Sequence, residues 1–151
     1  MWLFEITAGK MYDNAGKVLG KCYAGGNLGT VPVAVDNPAY EGQKDVGPLP
    51  EGWYTLGQFL QDTHLGPTAI ALVPDPTNDM RGRGGFYIHW NKGPAPGQQT
   101  PAINASEGCI VMIDGTQIQT IWNSNDHRLL VVARIGQPPV SPGPAPAPAP
   151  R

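Results

Sequence analysis

Gly85-Phe86-Tyr87-Ile88-His89-Trp90 is a run of β-favouring residues that stops at the loop formers Asn91 to Pro96, and Cys109-Ile110-Val111-Met112-Ile113 is a shorter apolar run twenty residues on. Both are too short and too rich in branched and aromatic side chains for helices. The same grammar extends outward in both directions. Trp2, Phe4 and Ile6 alternate with Leu3, Glu5 and Thr7. Asp13-Asn14-Ala15-Gly16 reads as a tight turn, and Lys17 to Tyr23 as the returning strand. Trp53 to Leu60, Thr68 to Val73 and His127 to Ile135 are further strands, the last built on Leu129-Leu130-Val131-Val132. Gly25 to Pro50, dense in Gly, Pro, Asn and Asp, reads as long loops that cover a cleft. One short helix is expected after Asp114. That residue can cap it, Gln117 stands three positions later as in a capping box, and Ile118, Ile121 and Trp122 share a face. Asn123-Ser124-Asn125 ends it. The expected class is mainly β.

Composition agrees. The chain has 151 residues, with 20 Gly and 17 Pro, 40% hydrophobic and only 15% charged residues. That suits a loop-rich β domain with a real core. The net charge of −2 offers no basic stripe for nucleic acid. No apolar stretch is long enough to span a bilayer, so no membrane insertion is expected. Met1 to Ile6 lack the basic and apolar regions of a signal peptide, which points to synthesis in the cytoplasm without a leader. Residues 1–136 read as one catalytic domain. Residues 137–151, Pro- and Ala-rich, read as a disordered tail of polyproline character, a linker rather than a ligand.

The chemistry centres on Ser106-Glu107-Gly108-Cys109. A thiolate attacks acyl carbons well, but a free thiol at neutral pH is mostly protonated and needs a base. His89 has the intrinsic pKa for that duty and for protonating a leaving amine. Gly108 lets the backbone turn so that its amide and that of Cys109 face one point, an oxyanion hole. Ser106 is placed to orient the turn or touch substrate. Each signal alone has a plainer explanation: a Cys before an apolar run is commonly a core residue, and a His at a strand end commonly structural. The order and spacing of the pair favour the catalytic reading. His64 and His127 have no partners at ligand spacing and read as surface residues, so no metal or cofactor is expected. Cys22 reads as a buried or cleft-wall residue, with a Cys22–Cys109 disulfide left open. Trp53, Tyr54, Tyr87 and Trp90 read as core or cleft aromatics, Trp90 being the best candidate to line the groove.

The pairing of Phe86-Tyr87-Ile88-His89 with Ser106-Glu107-Gly108-Cys109 resembles the signature of the YkuD-type L,D-transpeptidases. It is more similar to the branch found as type VI secretion L,D-transpeptidase effectors, related to the domain of unknown function 2778. Gly82 to His89, the Gly47-Pro48-Leu49-Pro50-Glu51-Gly52-Trp53-Tyr54 element and Cys22-Tyr23-Ala24-Gly25 carry that closer likeness. The resemblance implies a β-sandwich-like fold and a thioester acyl-enzyme on the diamino acid of a peptidoglycan tetrapeptide stem, with release of D-alanine. The acyl group then passes to water, a D-amino acid or another stem's amine. It implies that the Trp90 carbonyl orients the His89 ring. It also implies an antibacterial effector carried by a secretion apparatus to a target cell's periplasm and held in check by a cognate immunity protein. Arg83, Tyr87, Glu107, Tyr23 and Trp53 are the expected substrate contacts, Arg83 through a carboxylate fork or, equally open, as a structural cation. Glu107 stands where the family usually has His, and Val111 where Arg or Asn often follows. Papain-like folds place Cys before His, and sortases space the two more widely. A non-catalytic peptidoglycan-binding domain, or another cysteine peptidase or amidase, remains the alternative.

Overall fold

Alternation along the first strand, β1 (Trp2–Glu5), sends Trp2 and Phe4 inward with Ile6 beyond them. Strands β2 (Lys10–Tyr12), β3 (Val18–Ala24), β4 (Gly52–Thr63), β5 (Gly66–Pro74), β6 (Tyr87–Trp90), β7 (Ile110–Met112) and β8 (Arg128–Val132) follow, with helix α1 (Thr116–Asn123) between β7 and β8. The computed structural model describes residues 1–27, 30–63, 66–90 and 107–136. The expected loop at 91–96, the tail 137–151, His64 and Ser106 lie outside them. Among the described residues, no helix is long and apolar enough to cross a membrane.

The mainly β reading with one short helix holds. The expected sandwich is instead a closed barrel in the order β1-β2-β3-β7-β6-β5-β4-β8. Closure comes from β1 pairing in parallel with β8, Trp2 against Leu129 through Glu5 against Val132. A second parallel pair joins β6 and β7. Closing the ring satisfies both edges that a sandwich would leave open. Inside lie Phe4, Met11, Tyr54, Leu56, Ile70, Ile88, Ile110, Met112, Leu129 and Val131, all buried. β2 is an element that alternation did not reveal: of its three residues only Met11 faces inward.

The Asp13 to Gly16 turn forms as read. Gly16 has φ +80, and one Asp13 side-chain oxygen accepts from the amides of Ala15 and Lys17, both at 2.9 Å. In α1 the outcome is mixed. Ile118 and Ile121 enter the core, and Asp114 Oδ1 accepts from the Thr116 amide at 3.0 Å and its hydroxyl at 2.7 Å. The capping box does not form. Gln117 reaches across to donate to the Leu19 carbonyl at 2.9 Å, since Gly20 leaves room for it.

The loop after β3 is tied down by Asp36, whose carboxylate accepts from the Ala24 amide at 2.9 Å. Burial raises Asp36 from 3.8 to about 6, with the Ala24 hydrogen bond opposing the rise. A carboxyl raised on folding stabilises fully below its unfolded value, and that stabilisation is lost as pH climbs to the folded value. The gap is worth about 3 kcal/mol. Asp36→Asn keeps an acceptor for Ala24 but cannot ionise. Its melting temperature is therefore expected to gain on wild type between pH 4 and about 6, and thermal unfolding over that range checks this.

Candidate active site

Two neighbouring parallel strands build the site. Ile88 lies against Ile110 and His89 against Val111, and both isoleucines point into the barrel. Strict alternation turns Tyr87 and His89 outward on β6, and Cys109 and Val111 outward at the start of β7. Cys109 stands one residue before β7, level with Tyr87. His89 and Cys109 are therefore diagonal neighbours on one face, the relation in which long side chains of adjacent strands meet. One row across this outer face holds Ala69, His89, Val111 and Tyr23, from β5, β6, β7 and β3. All four are between 0% and 4% exposed. Cys109 sits beside that row, partly exposed.

Electrostatics at the thiol explain why a base is needed. Burial pushes Cys109 up to about 11, with Glu107 adding to the rise; a hydrogen bond from the Tyr87 main chain and the Arg83 charge pull it back. At pH 7 such a thiol is about one part in ten thousand anion. Cys22 is also a thiol, turned into the barrel, and burial raises it well above its ordinary value. The disulfide left open by the sequence does not form. Cys22 pairs across from Met112 on the inner face, whereas Cys109 lies on the outer one.

Gly108 has φ +128, a conformation reserved for glycine, and its carbonyl accepts from the Leu49 amide at 3.0 Å. A Cβ there would fall 2.6 Å from both Arg83 Nη2 and Phe86 Cε1. The turn before Cys109 is thus tightly packed against Arg83 and Phe86.

Arg83 is the main correction. Nη1 donates to the Glu41 and Pro48 carbonyls at 2.6 and 2.7 Å, and Nη2 to the Gly47 and Glu107 carbonyls at 2.9 and 3.1 Å. Its guanidinium carbon also lies 5.1 Å from the Phe86 ring centre. Four donors spent on main chain leave no fork for a substrate carboxylate, and the structural alternative is the one realised. Trp53 is the second correction. It sits on β4, two strands beyond β6 and three beyond β7, with Arg128 stacked 4.5 Å from its ring centre. It does not reach the Cys109 face. The Trp90 indole likewise packs against Gly115 before α1 rather than lining the outer groove. Tyr87 and Glu107 do flank Cys109, and Tyr23 shares the His89 row.

Sequence reasoning missed Glu41 and Glu51, both buried. The Glu51 amide donates to Glu41 Oε1 at 2.5 Å, and Glu51 Oε1 accepts from the Ala133 amide at 3.0 Å. Acids in a Gly- and Pro-rich loop read as solvated, and only the fold brings them together.

The barrel can be placed among known proteins. A solved structure from Bdellovibrio bacteriovorus, that of Bd1075, superposes with a TM-score of 0.55 at 14% identity, over 89% of this chain and 48% of that one. It shares the fold, and this chain spans about half its length. The family model of the Tlde1 domain matches residues 29–135, and the chain belongs to that family of type VI secretion L,D-transpeptidase effectors. No curated protein matches.

Proposed function

We propose that the protein is a cysteine acyl transferase of the YkuD type that cuts and rejoins peptidoglycan tetrapeptide stems. The observation that carries this reading is the diagonal placement of Cys109 and His89 on one face of the parallel β6–β7 pair. His89 removes the thiol proton as sulfur attacks the carbonyl at the L-centre of the stem's diamino acid. The amides of Gly108 and Cys109 receive the developing oxyanion, the Trp90 carbonyl orients the imidazole, and Ser106 braces the turn. Collapse breaks the bond to D-alanine, whose amine takes the proton from His89. A thioester remains. Water, a D-amino acid or a second stem's amine then gives its proton to His89 and attacks, and the Cys109 sulfur leaves and takes that proton back from His89. Tyr87, Glu107 and Tyr23 surround this path.

Family membership supports the effector context. In this reading the protein passes through a secretion apparatus into the periplasm of a target cell, where the stems lie, and the producer guards itself with an immunity protein that seals the Cys109 face. The test is incubation with purified tetrapeptide-stem muropeptides, with and without D-amino acids, read by mass spectrometry. Tripeptide, exchanged or cross-linked product is expected. Unchanged muropeptides from folded protein with a reactive Cys109 would refute it.

A further inference from the structure

We propose that Glu107 is a specificity-determining residue of the Cys109 face: its carboxylate selects substrates that carry an ammonium close to the carbonyl under attack. The inference rests on Cys109 being the nucleophile. On the peptidoglycan reading, the ammonium is the distal one of the stem's diamino acid.

Place, anchoring and charge all bear on this. Glu107 stands two residues before Cys109, so their Cα atoms are no more than about 7 Å apart. Its main chain is held from both sides. Arg83 Nη2 donates to the Glu107 carbonyl at 3.1 Å, and the Leu49 amide to the Gly108 carbonyl at 3.0 Å. The Glu107 side chain, by contrast, is exposed. A charged group in open solvent thus grows from a fixed root beside the thiol. Among the described residues the ion pairs are Met1 with Asp126 and Arg81 with Asp79, and Glu107 belongs to neither.

Two charges among the described residues act on the thiol, Glu107 and Arg83. They are not equally open to a ligand. Arg83 is 8% exposed, and both its terminal nitrogens donate to main-chain carbonyls. What an arriving molecule meets is therefore the carboxylate. That charge has a cost, because after burial it is the next influence holding the Cys109 proton in place. A glutamine at 107 would remove the cost and keep a solvated polar side chain. What only the carboxylate supplies is attraction for cations and repulsion of anions. The stem's diamino acid fits this field. Its distal amine sits at the end of the same residue whose L-centre carbonyl meets the sulfur, and it stays charged through acyl transfer.

The test uses the full chain and has two arms. In the first, Cys109 reacts with a trimethylammonioethyl or a sulfonatoethyl methanethiosulfonate, one cationic and one anionic. The mixed disulfide at Cys109 is quantified by peptide mass spectrometry, and each rate is normalised to that of a small free thiol. Wild type is expected to favour the cationic reagent about fivefold. Glu107→Gln should lose the preference and Glu107→Lys reverse it. The ratio of the two rates cancels any change in thiol ionisation. The wild-type preference should also shrink in about 0.5 M salt, which a purely structural role would not predict. In the second arm, tetrapeptide stems are compared with the distal amine free or acetylated. Acetylation is expected to lower kcat/KM about fivefold in wild type and to leave Glu107→Gln unaffected. Equal reagent ratios in wild type, Glu107→Gln and Glu107→Lys would overturn the proposal, and so would a preference for the free amine that survives Glu107→Gln. Inert muropeptides beside the expected reagent ratios would sink the peptidoglycan reading and leave cation selection by Glu107 standing.

Discussion

Cys109→Ala is expected to form no acyl-enzyme and to lose turnover of muropeptides by about 10⁴-fold or more, the usual cost of removing a covalent nucleophile. His89→Ala is expected to fall nearly as far. The reason is the thiol's environment: raised to about 11, it presents almost no anion at pH 7 unless a neighbour takes its proton. The two variants separate by alkylation. Cys109→Ala leaves no adduct at 109. His89→Ala keeps the thiol but reacts at neutral pH only as fast as its small anion fraction allows, recovering as pH rises. Stopped-assay muropeptide analysis and alkylation rates measure both. A His89→Ala protein alkylated as quickly as wild type at pH 7 would remove the histidine from the mechanism.

Gly108→Ala is expected to be strongly damaging for so small a substitution. The backbone there has φ +128, and the new methyl would sit 2.6 Å from Arg83 Nη2 and Phe86 Cε1 and 3.0 Å from the Gly47 carbonyl oxygen. Strain of that kind costs about 1–3 kcal/mol and overpacking about as much again. The melting temperature should drop by about 10 °C. Alkylation of Cys109 should change with it, because the same turn sets the sulfur. Gly84 is the contrast: nothing lies within 4 Å of a Cβ added there, and its φ is not in the glycine region. Gly84→Ala should stay within about 0.5 kcal/mol of wild type. Circular-dichroism melts of the two decide, and equal melting temperatures would contradict the clamped turn.

Local features were legible in the sequence because they are written in neighbouring residues. Trp2, Phe4 and Ile6 alternate and all face inward; Asp13 and Gly16 make their turn; Ile118 and Ile121 find the core. His89 and Cys109 were legible through their motif, and the parallel register then set them on one face. Closure into a barrel was not legible. It depends on residue 2 meeting residue 129, and no periodicity within either strand specifies a partner so far away. Arg83 was left open between a substrate fork and a structural cation for a related reason. Its acceptors are main-chain carbonyls, which every residue carries, so nothing in the sequence marks Glu41, Gly47, Pro48 and Glu107 as its partners. Trp53 sits in the same Gly-Pro-Leu-Pro element as the turn's supports, yet β4 carries it to the Arg128 side of the barrel.

The parallel seam between β1 and β8 has a consequence for how the molecule is made. Trp2 to Glu5 leave the ribosome more than a hundred residues before Leu129 to Val132. Throughout the synthesis of the residues between them, β1 lacks the neighbour that completes the ring. Of its two strand partners only β2 is available in that interval. Such distant pairing places the final step in the slow, millisecond-to-second range of all-β proteins. A nascent chain is thus an open sheet until β8 arrives.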